Sequence, residues 1–213
     1  GLVPFALAFA AIPETTREAF GAFRPVAATA TVFFPFVRTF LAWTGSIDAS
    51  RSAVDQALSA GHRIGLAPGG IGEMFEGYPK QHTHPDDECA LLASRKGFIR
   101  MAIKHNVPVV PVYVFGASKM LKRLQLPGME HISKLLRISL CVIFGRLGLP
   151  IPIHQRLLYV MGQPLFPPEA ASENEEFQAQ VNHMHELFCQ ELKRIFDRHK
   201  ESYGWGHKRL CLV

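Results

Sequence analysis

The sequence predicts an α/β fold in which helices flank a central sheet. Three apolar runs have the length of strands, at residues 64–67, 109–115 and 157–161, and each ends at glycine or proline. Helical stretches with apolar residues three and four positions apart lie between and after them. Such alternation is typical of a sandwich around a mostly parallel or mixed sheet. The 213 residues, 48% of them hydrophobic, suit one domain spanning 1–213.

The first third of the chain contains two predicted helices. Residues 1–40 are apolar and rich in Phe and Ala, which favours buried core over a surface that meets lipid, and both interpretations stay open. Pro35 is placed to open a helix over 36–43, because its missing N–H costs nothing there. Ser50 is expected to cap a helix over 51–60, with a glycine directly after it.

The rest of the chain alternates between loops, strands and helices. Residues 78–88 are polar and irregular and predict a surface loop, and a helix is expected over 95–105. In the apolar run that follows, Pro111 indicates an edge, a bulge or a strand end. A capping box of Ser172 and Glu175 opens a long last helix. The core-facing stripe of that helix is Phe177, Val181, Met184, Phe188, Leu192 and Ile195.

The charge of the chain favours anionic partners. A formal net charge of +5 and a pI near 9.2 suit a membrane surface or a phosphorylated ligand. No Lys/Arg-rich block with interleaved aromatic residues is present, so nucleic acid is not predicted. The apolar runs at 1–13 and 25–37 fall short of the ~18–20 residues that a membrane-spanning helix needs, while a monotopic contact stays open.

A metal site, an α/β-hydrolase and a P-loop are not favoured. The four cysteines are scattered, without the paired spacing of a zinc site or a disulfide frame. His82, His84, Asp86 and Asp87 share a polar stretch, for which a solvated loop is favoured over a metal site, so no metal is predicted. No Gly-x-Ser-x-Gly elbow and no phosphate-binding loop ending in Gly-Lys-Ser/Thr occurs.

The most informative stretch is the strand exit after residues 64–67. Pro68 stops the apolar run, Gly69 and Gly70 permit backbone conformations closed to other residues, and Glu73 follows. Backbone N–H groups in such a loop form a cradle for an anion or an oxyanion. A tight strand exit whose glycines serve geometry alone is the alternative.

Several blocks, taken in order, resemble the type 2 diacylglycerol acyltransferase family, which includes monoacylglycerol and wax-ester acyltransferases. The resemblance covers almost the whole chain, and 45–51 is similar to a further block upstream. Ala117 departs from the pattern, because the family commonly has an acidic residue there. The blocks are 68–73 (PGGIGE), 95–98 (RKGF), 110–116 (VPVYVFG), 160–165 (VMGQPL) and 199–204 (HKESYG).

The resemblance implies a glycerolipid-acyltransferase-like sandwich and an acyl-CoA-dependent O-acyltransferase. The implied reaction moves a fatty acyl group from acyl-CoA to diacylglycerol, giving triacylglycerol, without an acyl-enzyme. A monoacylglycerol or wax-alcohol acyltransferase, or a non-catalytic lipid-binding domain, is the alternative. Glu73 is the implied catalytic residue, orienting a histidine or else capping backbone N–H groups. The implied substrate-binding residues are Gly45, Arg51, Pro68, Gly69, Gly70, Arg95, Lys96 and Gly97.

The resemblance also implies where the protein works and what it meets. Its partners would be acyl-CoA as co-substrate, an acylglycerol acceptor and a membrane surface, with no other cofactor, and homo-oligomerisation stays open. The location would be the cytosolic face of the endoplasmic reticulum or a lipid droplet. Gly1 matches the last position of the family's His-Pro-His-Gly motif. The histidines and a membrane hairpin are therefore expected upstream, and residues 1–213 alone are expected to be inactive.

Overall fold

The chain divides into two compact units. Unit 1 comprises Gly1–Met74 and Ala117–Gln155, and unit 2 comprises Phe75–Gly116 and Arg156–Val213. The prediction of one domain over 1–213 stays a prediction. The computed structural model describes residues 14, 18, 21–27, 35–69, 84–119, 122–124, 142–144, 153–168 and 175–213.

Unit 1 contains a parallel three-stranded sheet. Its strands are β1 (Arg24–Ala27), β2 (Ile47–Asp48) and β3 (Ile64–Gly65), in the order β2-β1-β3. Val26 is in register with Ile47 on one side of β1, and Arg24 with Ile64 on the other. Parallel neighbours need a crossover between them, which the helices of this unit provide.

The two helices of that sheet begin where the sequence predicts. Helix α1 is Pro35–Trp43 and helix α2 is Arg51–Ser59. The Ser50 hydroxyl accepts a hydrogen bond of 3.4 Å from the N–H of Ala53, which satisfies one free donor of the first turn. Gly61 follows α2 with φ +75°, a conformation that glycine adopts without strain. Both predicted caps are confirmed.

The second part of unit 1 contains a further strand pair. A 3₁₀ turn at Ala117–Lys119 precedes β6 (Lys122–Leu124), which pairs antiparallel with β7 (Val142–Phe144).

Unit 2 builds two small sheets around one long helix. The elements are β4 (Asp87–Ala90), α3 (Gly97–Lys104), β5 (Val112–Phe115), β8 (Leu158–Met161), α4 (Glu175–Tyr203) and β9 (Arg209–Leu212). Strand β5 pairs antiparallel with β8, and β4 pairs parallel with β9, the last strand of the chain.

The core of unit 2 lies along one face of α4. The predicted stripe is confirmed, because all of its members are buried except Phe177, which is partly buried against them. Phe115 and Phe196 stack with their ring centroids 5.5 Å apart, and both are fully buried. Each large apolar side chain removed from water contributes about 1.5–3 kcal/mol, so this stripe is a main source of stability for unit 2.

The α/β class with mixed strand pairing is confirmed, but several boundaries differ from the prediction, including those of α3, which spans Gly97–Lys104. Strand β3 ends at Gly65 and not at residue 67. Strand β5 starts only at Val112, because Pro111 has no N–H to donate, and Val109 makes an isolated bridge to Leu165. The predicted loop at 78–88 overlaps β4, which begins at Asp87.

No helix among the described residues is both long enough and apolar enough to cross a bilayer.

Candidate functional site

Two of the predicted segments follow strands at the carboxyl edge of the parallel sheet in unit 1. Arg51 begins α2 three residues after the end of β2, and its side chain is exposed. Pro68 and Gly69 form a turn three residues beyond β3, and Gly69 is buried. The carboxyl ends of parallel strands are where ligands bind in open α/β sheets. The structure therefore places these three residues at the edge where that rule expects a site.

Gly45 lies at the opposite, amino edge of the same sheet. It precedes β2 with φ +67°, and its carbonyl accepts a hydrogen bond of 3.0 Å from Nε of Arg24. A Cβ at this position would meet no heavy atom within 4 Å, so the backbone conformation and not packing requires glycine here. Gly70 and Glu73 lie outside the described residues, so their predicted roles stay predictions.

The other predicted cationic segment opens α3 in unit 2. Lys96 precedes the helix, and its Nζ donates to Oδ1 of Asn182 at 2.8 Å. Arg100, one turn further along, donates from Nη2 to Oε1 of Gln178 at 2.5 Å. Gln178 in turn donates to Asn182 at 3.0 Å. We call Lys96 and Arg100, with Gln178 and Asn182, the amide-held cation pair.

The chemistry of the amide-held cation pair suits a phosphate group. Amide oxygens orient Lys96 and Arg100 without cancelling their charges, as a carboxylate would. Two like charges one turn apart on one helix repel each other, and an anion between them relieves that repulsion. Guanidinium and ammonium groups are the usual protein partners of phosphate. The arrangement can thus bind a phosphate with little reorganisation.

The sequence predicts Lys96 as a site residue but does not predict the other three residues of the amide-held cation pair. Arg100 follows Lys96 by four residues and Asn182 follows Gln178 by four, so each spacing shows a shared helix face. The contact between the two helix faces could not be predicted from local sequence, because 86 residues separate Lys96 from Asn182.

The remaining predicted residues of this segment are exposed. The backbone N–H of Arg95 donates to the carbonyl of Leu92 at 2.9 Å, which forms the turn ahead of α3. A Cβ at Gly97 would meet no heavy atom within 4 Å. Packing within the protein therefore does not require a glycine here, and the backbone beside Lys96 is open.

A buried histidine on α4 supports the turn that carries these residues. His185 is 6% exposed, and its Nε2 lies 3.0 Å from the carbonyl oxygen of Leu92. Because a carbonyl only accepts, we assign the proton to Nε2. Burial lowers the pKa of His185 below its ordinary value, which keeps the ring neutral near pH 7. The ring is thus a positioning group for the 92–95 turn.

Cys189 lies beside this ring but does not form a nucleophile with it. Its Sγ is 3.9 Å from Nε2 of His185. Burial raises the pKa of the Cys189 thiol, while it lowers the pKa of His185. A thiolate–imidazolium pair needs the opposite shift in both groups.

The polar stretch that includes His84 serves local structure. The Nδ1 of His84 accepts from the N–H of Asp86 at 3.2 Å, and the carboxylate of Asp87 accepts from the N–H of His84 at 3.0 Å. Within the part of the chain that the structure describes, no three His, Cys, Asp or Glu side chains lie close enough to hold a metal ion. His82 lies outside that part.

A family model agrees with these features over almost the whole chain. The diacylglycerol acyltransferase model matches residues 6–212. That range includes the carboxyl-edge segments of unit 1 and the amide-held cation pair of unit 2. The chain belongs to the diacylglycerol acyltransferase family.

Relatives within the family differ in the acceptor that their names give. The chain is 30% identical to acyl-CoA wax alcohol acyltransferase 2 of Mus musculus, with 88% of this chain and 59% of that protein covered. It is 32% identical to 2-acylglycerol O-acyltransferase 3 of Homo sapiens, with 88% and 58% covered. The chain therefore spans about three fifths of the length of these relatives.

A solved structure also matches, at a greater distance. The 1-acyl-sn-glycerophosphate acyltransferase of Thermotoga maritima shares 15% identity and a TM-score of 0.39, covering 84% of this chain and 62% of that one.

Proposed function

We propose that the protein is an acyl-CoA-dependent O-acyltransferase that acylates diacylglycerol to triacylglycerol. The observation that carries this proposal is the match of residues 6–212 to the diacylglycerol acyltransferase family. In the proposed reaction the acceptor hydroxyl attacks the thioester carbonyl, the ester bond forms and the thiol of CoA leaves with a proton. Arg51 in unit 1 and the amide-held cation pair in unit 2 are alternative cations for the phosphates of acyl-CoA.

The loop after β3 has two proposed roles in this reaction. The backbone N–H groups of Gly69 and Gly70 would stabilise the oxyanion that forms when the hydroxyl attacks. Glu73 would orient the general base, which the family resemblance expects to be a histidine. These roles are supported by the position of Pro68 and Gly69 at the carboxyl edge of the parallel sheet.

A second set of acceptors has independent support. The names of the relatives at 30% and 32% identity specify a wax alcohol and a 2-acylglycerol. A monoacylglycerol or a fatty alcohol is therefore the alternative acceptor.

We also propose the cytosolic face of the endoplasmic reticulum membrane, or a lipid droplet, as the place where the protein acts, because the acceptors are lipids and the chain has a net charge of +5.

An acceptor competition tests the proposal. The chain in its full reading frame is given labelled oleoyl-CoA with diacylglycerol, monoacylglycerol or a long-chain alcohol in mixed micelles. Triacylglycerol is expected as the main product. The variant Gly70→Val is expected to lower turnover ~10²-fold, which is the scale of one lost oxyanion donor. A preference for another acceptor selects the alternative. No transfer to any acceptor above a heat-inactivated control overturns the function.

A further inference from the structure

A cationic cleft lies at the amino edge of the sheet in unit 1, away from the carboxyl edge that carries Pro68 and Gly69. Its volume is about 280 Å³. The cleft lies between residues that precede the three parallel strands and the first residue of β1. Its lining includes Phe23, Arg24, Trp43, His62 and Arg63, and none of the lining residues is acidic.

Both arginines carry guanidinium donors for a ligand, and a hydrogen bond holds Arg24 in place. Nε of Arg24 donates to the carbonyl of Gly45 at 3.0 Å, which fixes the plane of the guanidinium and leaves its two Nη groups. The guanidinium of Arg63 lies over Gly21, where a Cβ would collide with Nη1. Gly21 has φ +71°, so glycine suits both the backbone and the space that Arg63 occupies.

Trp43 gives the cleft an aromatic wall. It ends α1 and is 84% exposed, the largest exposure among the large hydrophobic side chains of the described residues. An indole left this far in water is available for stacking or for insertion among organic groups. The lining also contains the two cations Arg24 and Arg63, so the complementary ligand combines an anion with an organic part.

The size of the cleft limits what it can hold. Sites for drug-sized ligands have volumes of about 300–1,000 Å³, so a cleft at or just below this lower bound suits a head group and not a long acyl chain. Arginine forks match phosphate oxygens with two parallel hydrogen bonds, which selects phosphate over a simple halide.

We propose that this cleft binds the phosphate group of an organic ligand, with the phosphate between Arg24 and Arg63 and the organic part against Trp43. The proposal does not depend on the acyl-transfer reaction, because the cleft and the proposed oxyanion loop lie at opposite edges of the sheet. Two sources offer the same chemistry, a phosphorylated nucleoside such as the one in CoA and the head group of an anionic phospholipid.

Fluorescence of Trp43 gives a direct test. The chain contains two tryptophans, and Trp205 is buried at 4% exposure, so quenching by iodide reports mainly on Trp43. Adenosine 3′,5′-bisphosphate is titrated in one arm, and phosphatidylcholine vesicles with or without phosphatidic acid in the other. Saturable protection of Trp43 is expected in at least one arm, and the arm identifies the source. Inorganic phosphate alone should compete.

Two arginine variants and one matched control make the test specific. Arg63→Gln and Arg24→Gln should each weaken binding about tenfold or more, the scale of one charge-assisted contact. Arg63→Lys keeps the charge but loses the fork, and should weaken binding as well. Arg38→Gln removes the same charge from an exposed position on α1 outside the cleft and should have no effect. Circular dichroism confirms that each variant is folded.

The proposal is overturned by any of three results. The first is that Trp43 is protected in neither arm. The second is that binding survives in both Gln variants. The third is that Arg38→Gln weakens binding as much as Arg63→Gln does. The last result would show a general attraction between the basic chain and anions, and not a site.

Discussion

The carboxylate of Glu191, in the middle of α4, accepts a hydrogen bond of 2.6 Å from the backbone N–H of Gln163, in the loop after β8. The same carboxylate receives two hydrogen bonds from Arg194, at 2.5 and 2.6 Å. The loop belongs to the 160–165 block on which the family resemblance rests. This contact therefore joins the block to the longest helix of unit 2.

Replacement of Glu191 by Gln is expected to destabilise the protein at neutral pH. The hydrogen bonds from Arg194 chiefly, and that from Gln163, hold the pKa of Glu191 below its ordinary value. Hydrogen bonds to a charged group contribute about 1.5–3 kcal/mol, and an exposed ion pair much less. Since Arg194 is about half exposed, we expect a loss of about 1–2 kcal/mol in the free energy of unfolding at pH 7.

The pH dependence of this loss follows from the sign of the shift. A lowered pKa in the folded state means that the contribution of Glu191 is present above its unfolded pKa of about 4.3. The contribution disappears as the pH falls through the folded pKa. Urea unfolding of both proteins should give a difference at pH 7 that shrinks under strong acid. A difference that is the same at both pH values contradicts the assignment.

Glycine is expected to be required at position 162 for stability, because a side chain there would collide with Glu191. A Cβ at position 162 would lie 2.7 Å from Oε1 and 2.9 Å from Cγ of Glu191. Since Gln163 and Arg194 hold this carboxylate, Gly162→Ala should cost about 1–3 kcal/mol, the range for overpacking. In a Glu191→Ala background the cost should fall to a few tenths of a kcal/mol. Equal costs in both backgrounds, measured by chemical denaturation, would assign the role of Gly162 to the backbone alone.

The helices could be predicted because their signals are local. Ser50 and the glycine after α2 cap that helix within a few residues, and the stripe on α4 repeats every three or four positions. Strands β4 and β9 were missed because they depend on each other, with Glu88 in register with Leu210 far along the chain. The charge of Glu88 suggests a loop in the sequence alone. In the structure it is paired with Lys208, on the turn before β9.

The candidate site divides in the same way. Pro68 and Lys96 stand out locally, since one stops an apolar run and the other precedes a helix. The neighbours that hold Lys96 come from α4, and only the fold brings Gln178 and Asn182 to it. The cleft beside Trp43 was missed because three separate segments line it.

Removal of one partner of the ion pair between Glu88 and Lys208 is expected to destabilise the protein more than removal of both. Their side chains are 12% and 8% exposed, and Nζ of Lys208 also lies 4.5 Å from the ring centroid of Trp205. Lys208→Met leaves the Glu88 carboxylate buried and unpaired, which should cost about 3–5 kcal/mol. The double variant Glu88→Leu/Lys208→Met should recover most of this loss in a urea unfolding experiment. A double variant as unstable as the single one contradicts this account.

His185 is expected to make stability depend on pH below neutrality. Burial lowers its folded pKa, so the unfolded state binds more protons once the pH falls below about 6.5. Stability is then full above pH 6.5 and declines by at most about 1.4 kcal/mol per pH unit until the folded pKa is reached. His185→Gln, which keeps a donor for Leu92, should remove this slope between about pH 6.5 and 5. An unchanged slope would assign it to another group.

Asn182 is expected to serve phosphate binding through Lys96. Its Oδ1 accepts from Nζ of Lys96 at 2.8 Å and from Gln178 at 3.0 Å, and its side chain is exposed. Asn182→Ala should change stability by less than about 0.5 kcal/mol, as surface substitutions do. Without this acceptor Lys96 loses its fixed position, so the affinity for CoA should fall about three- to tenfold, the scale of a net hydrogen bond. Gln190→Ala, an exposed amide two turns along α4, is the matched control.

Asn182→Asp separates a binding role from a structural one, because the two roles predict opposite results. The new carboxylate would form an ion pair with Lys96, which at an exposed site leaves stability unchanged or raises it by up to about 1 kcal/mol. The same carboxylate would neutralise Lys96 and repel phosphate. CoA affinity, measured by calorimetric titration, should therefore fall below that of Asn182→Ala while the melting temperature holds. Affinity equal to that of the unchanged chain would show that Asn182 only fastens α3 to α4 and that the phosphates of CoA bind elsewhere.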